Sequence, residues 1–242
     1  MKTFGIIAAM DEEIVDLKNM LELDKIVDKP KLKFYIGSLF ENQKIILVKS
    51  GIGKVNAAAC TQSLIDLFNV EYIINVGVSG AVSNNLKIGD LIVANDLVQY
   101  DFDLSAFDKQ IGFIPDLEQR FFESDKKLLN LINDFCLVAG KNSDDNNYEK
   151  KNKIYFGRIA SGDKFVCNPS DKNFIRNNFG ADCVEMEGAA IAQVAFINKI
   201  PFVVIRVISD GADQNAVKFY DESVDSVTNN YLDIVKHILK SY

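Results

Sequence analysis

Short apolar runs alternate along this chain with longer stretches in which apolar residues recur at helical spacing. Thr3–Ala9 and Pro201–Ser209 are almost wholly apolar, which is typical of strands buried on both faces of a sheet. Asp11–Leu21, directly after the first of these runs, has its apolar residues on one helical face. Alternation of this kind predicts an α/β fold with a largely parallel or mixed sheet.

The same patterns predict the other elements. The predicted strands are Leu32–Phe40, Lys44–Ser50, Tyr72–Val76, Asp90–Ala94, Lys153–Ala160 and Cys183–Glu185, and the predicted helices are Lys54–Phe68, Asp125–Val138, Ser170–Asn178, Glu187–Asn198 and Ser223–Lys240. Glu41–Gln43 is predicted as a hairpin turn, and the aromatic-rich stretch Gln99–Gln119 as a long irregular segment of the kind that often carries function. The polar stretch Lys141–Asn152 is predicted as an exposed loop, so residues 1–242 are expected to form one domain.

The charge balance of the chain is acidic and narrows the partners it can bind. Its 242 residues include 34 Asp and Glu against 27 Lys and Arg, a formal net charge of −7. Because no surplus of cations is available to displace counterions from phosphates, neither nucleic acid nor an anionic membrane is an expected partner. The apolar run within Met1–Met10 stops at Asp11 and is too short for a secretory signal, so a cytoplasmic location is expected.

Histidine and cysteine usage restricts the chemistry. His237 is the single histidine of the sequence and lies in a C-terminal stretch with helical spacing. Its position argues against hydrolases of the Ser-His-Asp kind and against metal sites built from histidine. The four cysteines form no C-x-x-C pair, so neither a zinc ribbon nor a thioredoxin-like site is predicted. Acid–base chemistry is left to carboxylates, Lys, Tyr or Cys.

Carboxylates follow three of the predicted strands. Glu13 comes shortly after the first strand, Glu185 and Glu187 stand at the end of a short strand, and Asp210 ends the last apolar strand. Because ligands of open α/β sheets bind outside the carboxyl ends of the strands, these acids are predicted to share one cleft, although each alone also suits a helix cap. Arg206, inside the last strand, requires a buried acid partner, either in a core ion pair or to orient a site carboxylate.

The segment Gly51-Ile52-Gly53-Lys54 matches a phosphate-binding loop only in part. It lacks the spacing of a Walker A motif, and Asn56 stands where a dinucleotide fingerprint needs its third glycine. The segment is predicted as a tight turn from strand to helix, which points backbone N–H groups and a helix N-terminus above the sheet.

Four segments together resemble one enzyme family. They are Gly5-Ile-Ile-Ala-Ala-Met-Asp-Glu-Glu13, Ser50-Gly-Ile-Gly-Lys-Val55, Val184-Glu-Met-Glu-Gly-Ala-Ala-Ile191 and Val204-Ile-Arg-Val-Ile-Ser-Asp210. They are similar, in this order, to segments of the 5′-methylthioadenosine/S-adenosylhomocysteine nucleosidases of the nucleoside phosphorylase superfamily. The resemblance implies a single-domain, three-layer α/β fold with a twisted mixed central sheet, nucleoside phosphorylase-like, assembled as a homodimer. It implies hydrolysis of the N-glycosidic bond of adenine thionucleosides, with no metal or organic cofactor.

The resemblance also implies a role for each acid. Asp210 matches the family's acid, which protonates N7 of the leaving adenine, and Glu13 matches the general base for the attacking water. Glu187 matches the acid that binds the ribose hydroxyls, with Met186 beside it, and Arg206 would hold the carboxylates in register. This division suits glycoside hydrolysis, which needs a protonated leaving group, a stabilised oxocarbenium-like sugar and an activated water.

The substrate pocket implied by the resemblance has a purine end and an apolar end. Phe165 and Val166 match the adenine slot, through ring stacking and backbone hydrogen bonds. The alkylthio group is expected to contact Met10, Ile52 and Tyr220. Two further residues are assigned to the substrate site, Gly80 and Ser209. Phe107 matches a residue that the partner subunit contributes to the neighbouring pocket.

Three features depart from the family's usual pattern. One is the segment Tyr100-Asp101-Phe102-Asp103, which stands where the family often carries a His. Val78 replaces a small hydroxyl residue, which removes a secondary polar contact. The sequence leaves open whether the hydroxyl of Ser79 supplies this contact instead. Tyr220 replaces a frequent Phe, which would make the thioalkyl pocket slightly more polar.

Three other functions stay open on the sequence. A nucleoside phosphorylase is disfavoured because arginines are few and the first strand leads into Asp11-Glu12-Glu13, which would repel phosphate. An aminodeoxyfutalosine nucleosidase of the same family has motifs that separate poorly from these. A catalytically silent purine-binding protein is disfavoured because all three implied catalytic acids are present.

Overall fold

The computed structural model describes residues 1–41, 43–141, 153–227 and 230–242. Within these ranges the strands are β1 (Lys2–Ala8), β2 (Glu22–Lys29), β3 (Leu32–Ser38), β4 (Gln43–Lys49), β5 (Tyr72–Ala81), β6 (Leu91–Gln99), β7 (Phe122–Glu123), β8 (Ile154–Ser161), β9 (Cys183–Glu185) and β10 (Phe202–Asp210). The helices are α1 (Asp11–Met20), α2 (Lys54–Phe68), α3 (Lys126–Lys141), α4 (Pro169–Phe179), α5 (Gly188–Asn198), α6 (Ala216–Val227) and α7 (Leu232–Lys240). The middle of the predicted hairpin turn, Asn42, and nearly all of the predicted polar loop, residues 142–152, lie outside the described residues.

Strand β5 lies in the middle of the strand order and pairs with three other strands. Along one edge it runs parallel to β1 and then, near its C-terminal end, antiparallel to β9, where Gly80 lies opposite Val184. Along the other edge it runs parallel to β10. Because β10 pairs with β6, β6 with β8, and β8 with β9, these five strands close into a ring. The sheet extends from this ring through β1, β4, β3 and β2.

Helices cover both faces of the sheet, which gives three layers. On one face α2 and α5 bury Leu64 and Ile191 in a shared apolar cluster with residues of the sheet. On the other face α1, α3 and α7 bury Leu17, Ile132 and Ile238 in the same way. Each such side chain contributes roughly 1.5–3 kcal/mol on burial. The structure therefore confirms the predicted α/β fold with a mixed central sheet.

Strand β5 is longer than predicted, because the predicted strand Tyr72–Val76 continues through two glycines to Ala81. A β-carbon at Gly77 would lie 2.6 Å from Oε1 of Glu13, and one at Gly80 would lie 2.7 Å from Oδ1 of Asp210. The glycines therefore do not end the strand. They leave space beside it for two carboxylates.

Further elements differ from the prediction. Strand β6 continues to Gln99, five residues beyond the predicted Asp90–Ala94, and β7 has no predicted counterpart. Strand β2 has no predicted counterpart. Among the residues that the structure describes it pairs with β3 alone, and most of its side chains face solvent, so its sequence lacks apolar alternation. The predicted helix Ser223–Lys240 is two helices, α6 and α7; residues 228–229, between them, are not described. In the described part of the chain, no helix has the length and apolarity needed to cross a membrane.

Candidate active site

A cavity of about 280 Å³ lies where β1, β5, β9 and β10 end. The lining residues are Ala9, Met10, Glu13, Ile52, Val78, Ser79, Gly80, Lys164, Phe165, Val166, Val184, Glu185, Met186, Glu187, Ser209, Asp210 and Tyr220. The four acids that were predicted to share a cleft are all among them. Strand β9 brings its acids there although it runs antiparallel to β5, because its pairing with Gly80 places it beside the last residues of β5.

Glu13 is held rigidly by backbone N–H groups. Its Oε2 accepts hydrogen bonds from the N–H groups of Ala9 (2.8 Å) and Met10 (3.0 Å), and its Oε1 accepts one from Val78 (3.0 Å). Burial raises the pKa of this carboxyl, while the charge of Arg206 and the three N–H donors act in the opposite direction. Met10 precedes the first residue of α1, and its backbone N–H donates to the Glu13 side chain as in a capping box. Glu13 therefore also has the capping role that the sequence left open.

Glu187 is bound by the turn that precedes α2. Gly51 and Gly53 both have positive φ (84° and 97°), and this conformation points the N–H of Gly53 at Oε1 of Glu187, 2.8 Å away. The predicted strand-to-helix turn therefore directs a backbone N–H group to a carboxylate of the chain itself. Burial and the neighbouring charge of Glu185 raise the pKa of Glu187 to about 8.

Arg206 has the buried acid partner that its position requires. Its Nη2 donates to Glu185 and to Oδ1 of Asn75 (2.6 Å), and both side chains of the ion pair are almost fully buried. Glu185 also accepts bonds from the N–H groups of Glu187 (3.1 Å) and Gly188 (2.8 Å), where α5 begins. Arg206 therefore acts on the site through Glu185.

Asp210 lies at the end of β10, opposite Gly80 of β5. Its Oδ2 accepts a hydrogen bond from the hydroxyl of Ser209 (2.8 Å), and its Oδ1 accepts one from the N–H of Ala212 (2.8 Å). Burial raises the pKa of this carboxyl. A buried carboxyl of this kind is suited to holding and donating a proton near neutral pH.

The remainder of the cavity is mostly apolar. The rings of Phe165 and Tyr220 meet edge to face, with centroids 5.8 Å apart. The hydroxyl of Tyr220 donates to Sδ of Met10 over 3.0 Å. Aromatic and thioether surface beside three buried acids suits a ligand with one planar and one apolar part.

The chain is similar over almost its whole length to known proteins. A family model described as the phosphorylase superfamily matches residues 3–240. A 5′-methylthioadenosine/S-adenosylhomocysteine nucleosidase of Staphylococcus haemolyticus is 37% identical over 237 residues, covering 98% of each chain. The chain belongs to the 5′-methylthioadenosine/S-adenosylhomocysteine nucleosidase family.

Two solved structures from Helicobacter pylori match this nucleosidase-family chain with a TM-score of 0.91 and 34% identity. One is an Asp-to-Asn variant of the 5′-methylthioadenosine nucleosidase with 5′-methylthioadenosine in its active site, and it covers 100% of both chains. The other is described as futalosine hydrolase, and the match covers 100% of this chain and 98% of that one. The nucleosidase fold expected from the sequence is therefore confirmed.

Eleven of the thirteen residues predicted for the nucleosidase site line the cavity. The other two, Arg206 and Phe107, do not. Arg206 lies behind the cavity wall, and Phe107 is 72% exposed on the long segment after β6. Sequence reasoning placed Glu185 in the shared cleft but gave it no role there. Lys164 and the backbone of Val78 were not assigned to the site; no motif marked Lys164.

Proposed function

We propose that this protein hydrolyses the N-glycosidic bond of 5′-methylthioadenosine and S-adenosylhomocysteine, releasing adenine and a 5-thioribose product. The observation that carries the proposal is the cavity in which Glu13, Glu187 and Asp210, each with a raised pKa, surround one ligand-sized space. The names of the relatives support the same reaction.

Asp210 is the proposed acid. Asp210 lines the same cavity as Phe165 and Val166, and Val166 shares an apolar cluster with Ala212, two residues after Asp210. An adenine ring would stack on Phe165 and bond to the backbone there. Burial keeps the carboxyl protonated at higher pH than usual, so it can donate a proton to N7 and make adenine a neutral leaving group.

Glu187 and Glu13 would act on the sugar. Glu187, fixed by the N–H of Gly53, would bind the ribose hydroxyls, and its raised pKa lets it donate as well as accept. Glu13 would take a proton from the water that attacks C1′. Arg206 supports this role because its charge counteracts the effect of burial on the Glu13 pKa.

Hydrolysis is favoured over phosphorolysis by the charges of the cavity. Lys164 is the one cationic residue among the lining residues, and its Nζ lies 2.5 Å from Oδ2 of Asp171. Arg206 is neutralised by Glu185. A phosphate ion would therefore meet carboxylates without a free arginine to bind it, whereas a water molecule meets a base.

A second candidate substrate has support from one comparison. The Helicobacter pylori structure described as futalosine hydrolase matches as closely as the one with 5′-methylthioadenosine bound. Aminodeoxyfutalosine and 5′-methylthioadenosine share the adenine, the N-glycosidic bond and the ribose and differ at the 5′ substituent, so the same three acids would serve both.

A homodimer in which Phe107 completes the partner's pocket is part of the proposal. Phe107 and Val55 are 72% and 78% exposed, and Ile197 of α5 is 54% exposed. The segment that carries Phe107 is tied to α2 by the ion pair of Lys54 and Asp101 (2.5 Å). Burial of these exposed apolar side chains between two copies of the chain would stabilise the homodimer. The proposed setting is the cytoplasm, where the reaction would serve methionine salvage and removal of S-adenosylmethionine by-products.

The test is release of free adenine from 5′-methylthioadenosine, S-adenosylhomocysteine and aminodeoxyfutalosine, each with and without inorganic phosphate. Equal rates in both buffers support a hydrolase and rank the substrates. Release that requires phosphate contradicts hydrolysis and the role of Glu13. No release from any of the three contradicts the proposed enzyme.

A further inference from the structure

A lysine outside the cavity contacts the backbone beside the proposed acid. Nζ of Lys172, on α4, donates to the carbonyl oxygen of Gly211 over 2.7 Å. Lys172 is half-buried, and Gly211 directly follows Asp210. The contact therefore joins α4 to the turn that leads away from the acid.

Helix α4 is itself connected to the purine end of the cavity. It begins three residues after Val166, and the side chain of Asn168 caps it by accepting a hydrogen bond from the N–H of Asp171 (2.9 Å). Val166 and Ala212 belong to the same apolar cluster as Ile175 of α4. Lys172 thus connects the wall that would bind adenine with the turn that carries the proton donor.

The turn after Asp210 has a backbone conformation that needs support. Ala212 is fully buried and has φ of +47°, a region that L-residues other than glycine rarely adopt. The bond from the N–H of Ala212 to Oδ1 of Asp210 holds the turn from inside, and Lys172 holds the Gly211 carbonyl from outside.

We infer that Lys172 is a positioning residue for the proposed reaction. Lys172 fixes the turn after Asp210 against the purine end of the cavity, and it places a positive charge beside the acid. The inference rests on the proposed function, because it assigns Lys172 to the proton-donating step.

The groups around Asp210 determine the direction of the charge effect. Burial and the carboxylate of Asp213 raise the pKa of Asp210, whereas the N–H of Ala212, the hydroxyl of Ser209 and the charge of Lys172 lower it. Tyr220, which faces Asp210 from α6, has a pKa raised to about 12 by burial and is neutral. Removing the charge of Lys172 therefore raises the pKa of Asp210.

The pKa of Lys172 is lowered mainly by its partial burial and also by Arg176, while the carboxylates of Asp213 and Asp210 raise it. Arg176 provides a matched control, because it lies on the same helix, is exposed, and takes no part in the bond from Lys172 to Gly211.

The experiment compares the pH dependence of kcat for adenine release from saturating 5′-methylthioadenosine. The variants are Lys172→Met, Lys172→Gln, Lys172→Arg and Arg176→Gln. Because Asp210 must be protonated to act, kcat falls as pH rises through its pKa. We expect Lys172→Met and Lys172→Gln to move this alkaline limb up by about half a pH unit or more, with kcat at pH 7 about tenfold lower because the acid is less well placed.

Lys172→Arg should restore the limb, and Arg176→Gln should match the unchanged protein. Lys172→Gln retains a polar side chain at a half-exposed position, so it keeps the test valid if Lys172→Met folds poorly. An alkaline limb that stays in place in both uncharged variants overturns the role of Lys172, even if kcat falls, and leaves the proposed function standing. Failure of the unchanged protein to release adenine instead overturns the proposed function itself, on which the role of Lys172 depends.

Discussion

Gly80 and Asp210 lie opposite each other across the pairing of β5 with β10, so closely that a β-carbon on Gly80 would come within 2.7 Å of the Asp210 Oδ1. The same β-carbon would lie 3.1 Å from Cβ of Ala212. The position of the proposed acid therefore depends on a missing side chain in the neighbouring strand.

Gly80→Ala should reduce kcat by displacing Asp210. A displacement of about 1 Å costs on the order of 10²-fold in rate, and we expect a loss of that size. Steady-state adenine release measures it, and a thermal midpoint within a few degrees of the unchanged protein shows that the fold is retained. A well-folded Gly80→Ala protein with unchanged kcat would show that the spacing between the two strands has no part in catalysis.

Asp210→Asn should keep the fold and lose most turnover. The amide cannot deliver a proton, and positioned proton transfer is typically worth about 10²–10⁴-fold. The measurement is single-turnover adenine release, with Asp221→Asn, an exposed change on α6, as the matched control. Near-full activity of Asp210→Asn would mean that another group is the acid.

Glu13→Gln should abolish hydrolysis while the nucleoside still binds. Both oxygens of Glu13 accept backbone N–H groups, so the amide nitrogen of Gln must face one of those donors. We therefore also expect a loss of stability of about 1–3 kcal/mol. Calorimetric binding of 5′-methylthioadenosine and urea unfolding measure the two effects. Loss of binding with the chemical step intact in the bound fraction would restrict Glu13 to its capping role.

The protein without substrate should lose stability as pH rises from about 5 to 8. The pKa of Glu187 is about 8 in the folded chain against an ordinary 4.5, so the folded state binds more protons than the unfolded state throughout this window. The contribution is fully present below pH 4.5 and is lost as pH passes through 8, at a slope of up to about 1.4 kcal/mol per pH unit for one group. The raised pKa values of Glu13 and Asp210 act in the same direction.

Urea unfolding at several pH values checks this dependence. Glu187→Gln should flatten the curve, whereas Glu12→Gln, an exposed change on α1, should leave its slope unchanged. A slope that is the same in Glu187→Gln and in the unchanged protein would show that Glu187 does not carry the extra proton.

The local sequence pattern predicted correctly those elements that begin or end at residues typical of turns and helix ends. Helix α2 and strand β9 have the predicted bounds, Lys54–Phe68 and Cys183–Glu185. The turn Gly51–Gly53 fixes the start of α2, and Asn69 in the left-handed conformation ends it. The position of the acids at strand ends was predictable in the same way, because each acid interrupts or follows an apolar run.

Features that depend on pairing between distant segments were not predictable in this way. The sequence indicated that Arg206 needs an acid, but the choice of Glu185 follows from the ring of strands, which brings β9 and β10 to either side of β5. Strand β2 was missed because an edge strand with mostly exposed side chains has no apolar period. Phe107 stays a prediction, since its role requires a second copy of the chain.

The ring of strands also affects when the site can form during synthesis and folding. Strand β10 closes the ring by pairing with both β5 and β6, and it carries Asp210 at its end. Residues 73 and 202 must therefore meet across more than half of the sequence before the acid faces Gly80. Contacts so distant in sequence form slowly. A nascent chain that has already folded β1 and α1, and with them Glu13, consequently remains inactive until its last strand has been inserted between two strands made long before.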